Sequence, residues 1–148
     1  MTLPDYLEVL TLGGPEPASA TTTVASRSGV RKIVVRNHVL LSDWNIDGVA
    51  YDLGPSADEL FAAALGASIA EAILAAAATA ALAVEELAVG TQLREGDVNP
   101  APRVEISIVV TRVETDVVRA LVDDAVRSAR VVRHLRNGSD IELLLNVR

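Results

Sequence analysis

From Leu60 to Leu82 the sequence is apolar almost without a break, interrupted only by Gly66, Ser68, Glu71 and Thr79. A run of this length with no alternation and no polar face predicts a buried α-helix over about 57–82, roughly 37 Å long at 1.5 Å per residue. Its start is marked in the sequence. Ser56 can cap it, Glu59 three residues on completes a capping box, and Pro55 sits just outside. Asp58 and Glu59 also suit the positive end of the helix dipole. A helix with no polar side has to be covered on every side, and one small domain has too little material to do that. A second copy of the chain could. The many alanines would let two such helices approach closely, because side-chain size sets the interhelix distance. Burial alone therefore predicts a homodimer.

The same run is long enough to span a bilayer, which takes about 20 residues. Three features oppose that. Alanine drives insertion weakly, Glu71 would place a carboxylate at mid-membrane at a cost of roughly 2.5–3.5 kcal/mol, and no basic residue flanks either end. A buried helix of a soluble protein is the expectation.

On either side of this helix the pattern changes period. Tyr6–Leu12 has the β-formers for a short strand, and GGPEPAS at 13–19 is a loop. Thr21–Val24, Val30–Val35 and Val39–Leu41 read as two or three antiparallel strands, with turn signals at Ser28-Gly29 and Asn37-His38. Residues 43–56 are an irregular loop. After the helix, 84–95 reads as a strand with partial alternation and 96–102 as a loop. Arg103–Val113 alternates well, with Val104, Ile106, Ile108 and Val110 on one face. Asp116–Arg136 carries Val117, Leu121, Val122, Ala125, Val126, Val132 and Leu135 at helical spacing and stops at Asn137-Gly138. Ile141–Val147 closes as a strand. The order is β-meander, long helix, two strands, second helix, final strand: an α+β domain over 20–148, preceded by an N-terminal extension at 1–19.

Composition narrows the chemistry. Thirteen basic and twenty acidic residues give a net charge of −7, which opposes a nucleic-acid surface or docking on an anionic membrane. Cysteine is absent, so disulfides, thiolate metal sites and cysteine nucleophiles are excluded. His38 and His134 lie far apart and form no metal motif; no metal or cofactor is expected. Met1–Leu12 lacks a basic segment followed by an apolar one, so it is not a secretory signal, and a cytoplasmic location is expected.

Within the apolar helix Ser68 and Glu71 are three apart and share a face. Ser68 has two readings: a hydroxyl bonded back to the carbonyl four residues earlier, or a pocket residue or nucleophile. A nucleophilic serine needs a base within hydrogen-bond reach, and nothing in the sequence places a histidine there; G-x-S-x-G is also missing. Glu71 on a buried helix must be paired, protonated or at a cavity edge, and an arginine partner is the natural one.

The segment DWNIDGVAYDLGPSADELFAAALGAS, Asp43 to Ser68, resembles the signature of the OsmC/Ohr family of peroxide-detoxifying proteins, and AVRSARVVRHL resembles that family's second signature. The order of elements matches over about 20–148. The resemblance implies an intertwined α+β homodimer with the two long helices at its centre. It also implies a chemistry in which a cysteine on the central helix attacks the peroxide and a second cysteine resolves the sulfenic acid. Those two positions are Ser68 and Ala129 here, and the proline expected after the second is Arg130. A hydroxyl is neither anionic at neutral pH nor oxidisable in this way. Of the family's accessory residues, the Arg-x-Gly arginine matches Arg27, with Arg31 as a rival, and the glutamate at the helix start is replaced by Asp58.

The resemblance therefore implies a member without thiol redox chemistry, its pocket outlined by Arg27, Asp58, Ser68, Glu71 and Ala129. Such a protein would bind a small apolar or amphipathic ligand at the dimer interface, with no peroxidase activity expected. An enzyme of another type using Ser68 or Glu71, such as a hydrolase, and a purely structural or partner-binding protein are the alternatives.

Overall fold

The computed structural model describes residues 21–24, 30–43, 53–93, 102–135 and 141–148. The strand expected at 6–12, the Ser28-Gly29 turn and the helix stop at Asn137-Gly138 lie outside these residues. The chain divides into two compact units, residues 1–55 and 56–148.

The first unit holds a three-stranded antiparallel meander, β1 (Thr21–Val24), β2 (Arg31–Val35) and β3 (His38–Ser42). Val35 pairs with His38, so the β2–β3 turn is Arg36-Asn37 and not the expected Asn37-His38. Two-residue hairpin turns need a left-handed residue to match the strand twist, and Arg36 takes that conformation at φ 52°. Ser42, the last residue of β3, and Asp43 just after it are buried, and the Asp43 carboxylate accepts the Leu53 N–H at 3.4 Å. A Cβ at Gly54 would collide with the Leu41 carbonyl oxygen, which accounts for the glycine ahead of Pro55.

The second unit begins with α1 (Ala57–Thr79). Ser56 Oγ accepts the Glu59 N–H at 3.2 Å, and the Glu59 carboxylate accepts the Ser56 N–H at 2.7 Å. Those bonds from Ser56 hold the Glu59 carboxyl below its ordinary pKa of 4.5. The box is therefore fully formed above the ordinary value and is lost as pH falls through the lowered one. The helix ends three residues before the expected Leu82. Ala81 turns left-handed at φ 54°, the Leu82 N–H bonds Ala77 O at 2.9 Å and the Ala81 N–H bonds Ala78 O at 3.2 Å. This is a Schellman stop with alanine where glycine is the usual residue.

Three strands follow: β4 (Val84–Gln92), β5 (Arg103–Val110) and β6 (Glu142–Val147), in the order β4-β5-β6. β4 runs antiparallel to β5, and β6 runs parallel to it. A parallel neighbour needs a crossover, supplied here by α2 (Thr115–Ser128) and α3 (Arg130–His134). The expected single helix over 116–136 is thus two. Ala129, at ψ 133°, leaves the helical region between them. The core face of α2 is Val118, Val122, Ala125 and Val126, while Val117 is exposed. With two adjacent valines, the helical period alone does not say which one faces inward.

The core of this unit joins Leu65, Ile69 and Ile73 of α1 to Val104, Ile106 and Ile108 of β5 and to the α2 stripe. Each such side chain contributes about 1.5–3 kcal/mol on burial. α1 lies close on β4. Thr91 Oγ1 donates to Ala62 O at 2.8 Å, and a Cβ at Gly66 would stand 2.8 Å from that same hydroxyl oxygen. α1 is long and apolar enough to cross a membrane by composition, yet Leu65, Ile69, Ile73 and Ala77 place it in the core of a two-layer unit.

Replacing Ala81 by Gly is expected to raise stability by about 0.5–1 kcal/mol, because the cost of a left-handed L-residue exceeds the added chain entropy. Denaturant titration checks this, and a loss of stability would contradict the cap geometry. Gly66→Ala is expected to cost about 1–2 kcal/mol through overpacking against Thr91. The same change in a Thr91→Ala background should cost nothing or stabilise. Equal penalties in both backgrounds would rule out the close approach.

Candidate functional site

The Ala129 break creates a need that a neighbouring helix fills. α3 starts at Arg130, so the Val131 N–H is one of the orphan donors that a capping side chain normally serves. Ala129, at the capping position, has no side-chain acceptor. Ser68 of α1 supplies it: its Oγ accepts the Val131 N–H at 3.1 Å across 63 residues of sequence. The bond back to a carbonyl four residues earlier, one of the two readings of Ser68, is made instead by Thr79, which donates to Ala75 O at 2.9 Å.

Around this bond lies an open depression of about 390 Å³ between α1 and the α2–α3 break. Ala72, Ala75 and Ala76 form an apolar side; Ser68, Thr79, Ser128 and Ala129 complete it, with Glu71 and Arg130 at the rim. Thr79 and Ser128 both spend their hydroxyl protons on helix carbonyls, Ala75 O at 2.9 Å and Ala125 O at 3.0 Å. Glu71 finds the expected arginine partner in Arg130 at 3.7 Å. In the single chain, however, Glu71 is not a buried carboxylate. The side chains are 72% and 84% exposed, so water screens the pair and it contributes little.

Three of the five residues singled out from the sequence, Ser68, Glu71 and Ala129, thus line one depression. Asp58 does not: it is exposed in the first turn of α1, ten residues and roughly 15 Å along the axis from Ser68. Arg27 lies outside the described residues, and its rival Arg31 opens β2 in the first unit. Sequence reasoning missed the Val131 N–H as Ser68's partner and Arg130 as Glu71's. Both follow from the break at Ala129, and nothing in a continuous helical pattern announces it. Among the described residues Ser68 Oγ has no carboxylate or imidazole within hydrogen-bond reach, and no group of three or more His, Asp or Glu residues could hold a metal.

No family model matches the sequence, and no curated protein does. The fold does have relatives. A meander, a long helix, and a three-stranded sheet closed by a helical crossover define an α+β architecture that solved structures share almost end to end. An OsmC-like protein from Mycoplasma pneumoniae superposes with a TM-score of 0.70 at 13% identity, covering 91% of this chain and 98% of that one. An OsmC-like protein of unknown function from Vibrio cholerae gives 0.70 at 12% identity, covering 90% and 99%. An organic hydroperoxide resistance protein from Elizabethkingia anophelis gives 0.68 at 18% identity, covering 92% and 98%. The chain has the OsmC-like fold, and it has no cysteine.

Ser68→Ala removes the acceptor of the Val131 N–H and is expected to destabilise the protein by about 1–2 kcal/mol. Amide exchange at Val131 should quicken more than at Val122 in the core of α2. Unchanged stability with unchanged Val131 exchange would remove the capping role.

Proposed function

We propose that the protein is a non-redox OsmC-like homodimer that binds a small apolar or amphipathic ligand in the depression beside Ser68. One observation carries this reading. The two positions at which the resembled family carries sulfur, Ser68 and Ala129, line the same depression, and here they hold a hydroxyl tied to a backbone amide and a methyl group. Neither can cycle through a sulfenic acid. What is left is a lining of alanine methyls with a charged rim, at about 390 Å³ within the range of small-ligand sites. A hydrolase reading finds no base near Ser68, and the serine oxygen is already an acceptor.

Dimerisation rests on the other side of α1. Ala63, Ala64, Ala67, Leu74 and Ala78 are exposed in one chain, and a second copy of the same helix is the cover that their small size fits. A soluble, cytoplasmic dimer of this kind needs no cofactor.

The purified protein is expected to show no turnover of cumene or tert-butyl hydroperoxide with a dithiol reductant beyond that of a heat-denatured control. Turnover above that control would refute the non-redox half of the reading. Light scattering should give twice the 15.6 kDa chain mass, and Ala67→Glu should shift it toward the monomer. An anilinonaphthalene-sulfonate probe should bind, and Ala72→Trp, which fills the depression, should abolish that binding. Undiminished binding to the filled variant would remove the ligand site.

A further inference from the structure

A second depression, of about 610 Å³, lies away from Ser68, where the turn leaving α1 meets the turn entering α2. Its lining includes Ala81, Glu85, Thr111 and Arg112. The backbone is irregular at three of these four positions. Ala81 and Arg112 are left-handed, at φ 54° and 60°. Glu85 is the extra residue of a β-bulge, since Val84 pairs with Val110 and Glu86 with Val109. Bulges re-aim a side chain, and this one sits on the carboxylate that lines the depression.

The helix stop explains Ala81, but no cap explains Arg112. Glycine or asparagine takes a left-handed turn with less strain than arginine does. Among the described residues its guanidinium has no ion-pair or hydrogen-bond partner. Arg112 and Glu85 line one open depression, yet they form no ion pair with each other, and neither has a side-chain hydrogen bond among the described residues. One cation and one anion, both solvent-exposed and neither partnered among the described residues, complement a molecule that carries the opposite pair. The setting agrees in sign: the carboxyl end of α1, which has no basic residue in its last turn, favours a cation. The amino end of α2 already has Asp116 in its first turn and Glu114 before it, so the anion subsite rests on Arg112.

We infer that this depression is a binding site for a small zwitterion of the α-amino-acid class, its carboxylate on Arg112 and its ammonium group on Glu85. The site is independent of the Ser68 depression and of the reading built on it.

The test is an amide-shift titration of the full-length ¹⁵N-labelled protein with glycine and with L-leucine, beside acetate and methylammonium as single-charge controls. The zwitterions are expected to move the amides of residues 81–85 and 111–113 with millimolar affinity, and each single ion to bind about tenfold more weakly or worse. Arg112→Gln and Glu85→Gln should each weaken glycine binding about tenfold, while Ser68→Ala should leave it unchanged. Arg112→Gly is the sharpest variant: it relieves the backbone and removes the guanidinium, so thermal stability should rise while binding disappears. The proposal is overturned by absence of shifts at about 50 mM ligand, by acetate binding as well as glycine does, or by an Arg112→Gly protein that still binds.

Discussion

An α-helix that is apolar on every side can be covered by its own chain on one side only. α1 is such a helix. Leu65, Ile69, Ile73 and Ala77 face the sheet and α2, and they are sealed from water. On the opposite side Ala63, Ala67 and Ala78 are exposed, and Leu74 stands 49% exposed. Leaving that much apolar surface in water forgoes the main stabilising term of folding. The close seat on β4 follows from the same constraint. Gly66 lets the helix axis approach until Thr91 reaches the Ala62 carbonyl, and the layers interlock there without a gap.

Ser68 stands at the boundary between the covered and uncovered sides. Its oxygen completes the start of α3, a helix too short to be stable without help. The hydroxyl suits this because oxygen is a good acceptor, whereas sulfur is a poor one. Ser68 is therefore used here to hold secondary structure together. The hydrogen bond ties α1 to the crossover that brings β6 alongside β5. A polar residue on an apolar helix has been given a partner by tertiary packing and is not an orphan.

The left-handed residues show the same economy in the backbone. Arg36, Ala81 and Arg112 all sit in turns where glycine would be easier. Arg36 matches a hairpin to the twist of its strands, and Ala81 ends a helix by satisfying its last carbonyls. Their surroundings account for these two, and for Arg112 they do not.

How much of this was legible in the sequence depends on how far apart the interacting residues lie. The Ser56–Glu59 capping box was readable because its partners are three residues apart and their chemistry is local. The alternation of β5 and the helical period of α2 were readable for the same reason: one face of each meets one core. The alanine-rich run announced a buried helix, and with it the demand for a cover. Other features were decided only in three dimensions. The sequence could not choose between Val117 and Val118 as the inward valine, because that depends on how α2 is rotated against the sheet. It showed one continuous helix over 116–136, because the break at Ala129 is stabilised by Ser68, more than sixty residues away. It could list Glu71, Ser68 and Ala129 as candidates, but only packing placed them at one depression and left Asp58 almost three turns away. Local order is written in near neighbours, where chain entropy is cheap to overcome; a site is assembled by contacts whose cost of closure only a complete core can repay.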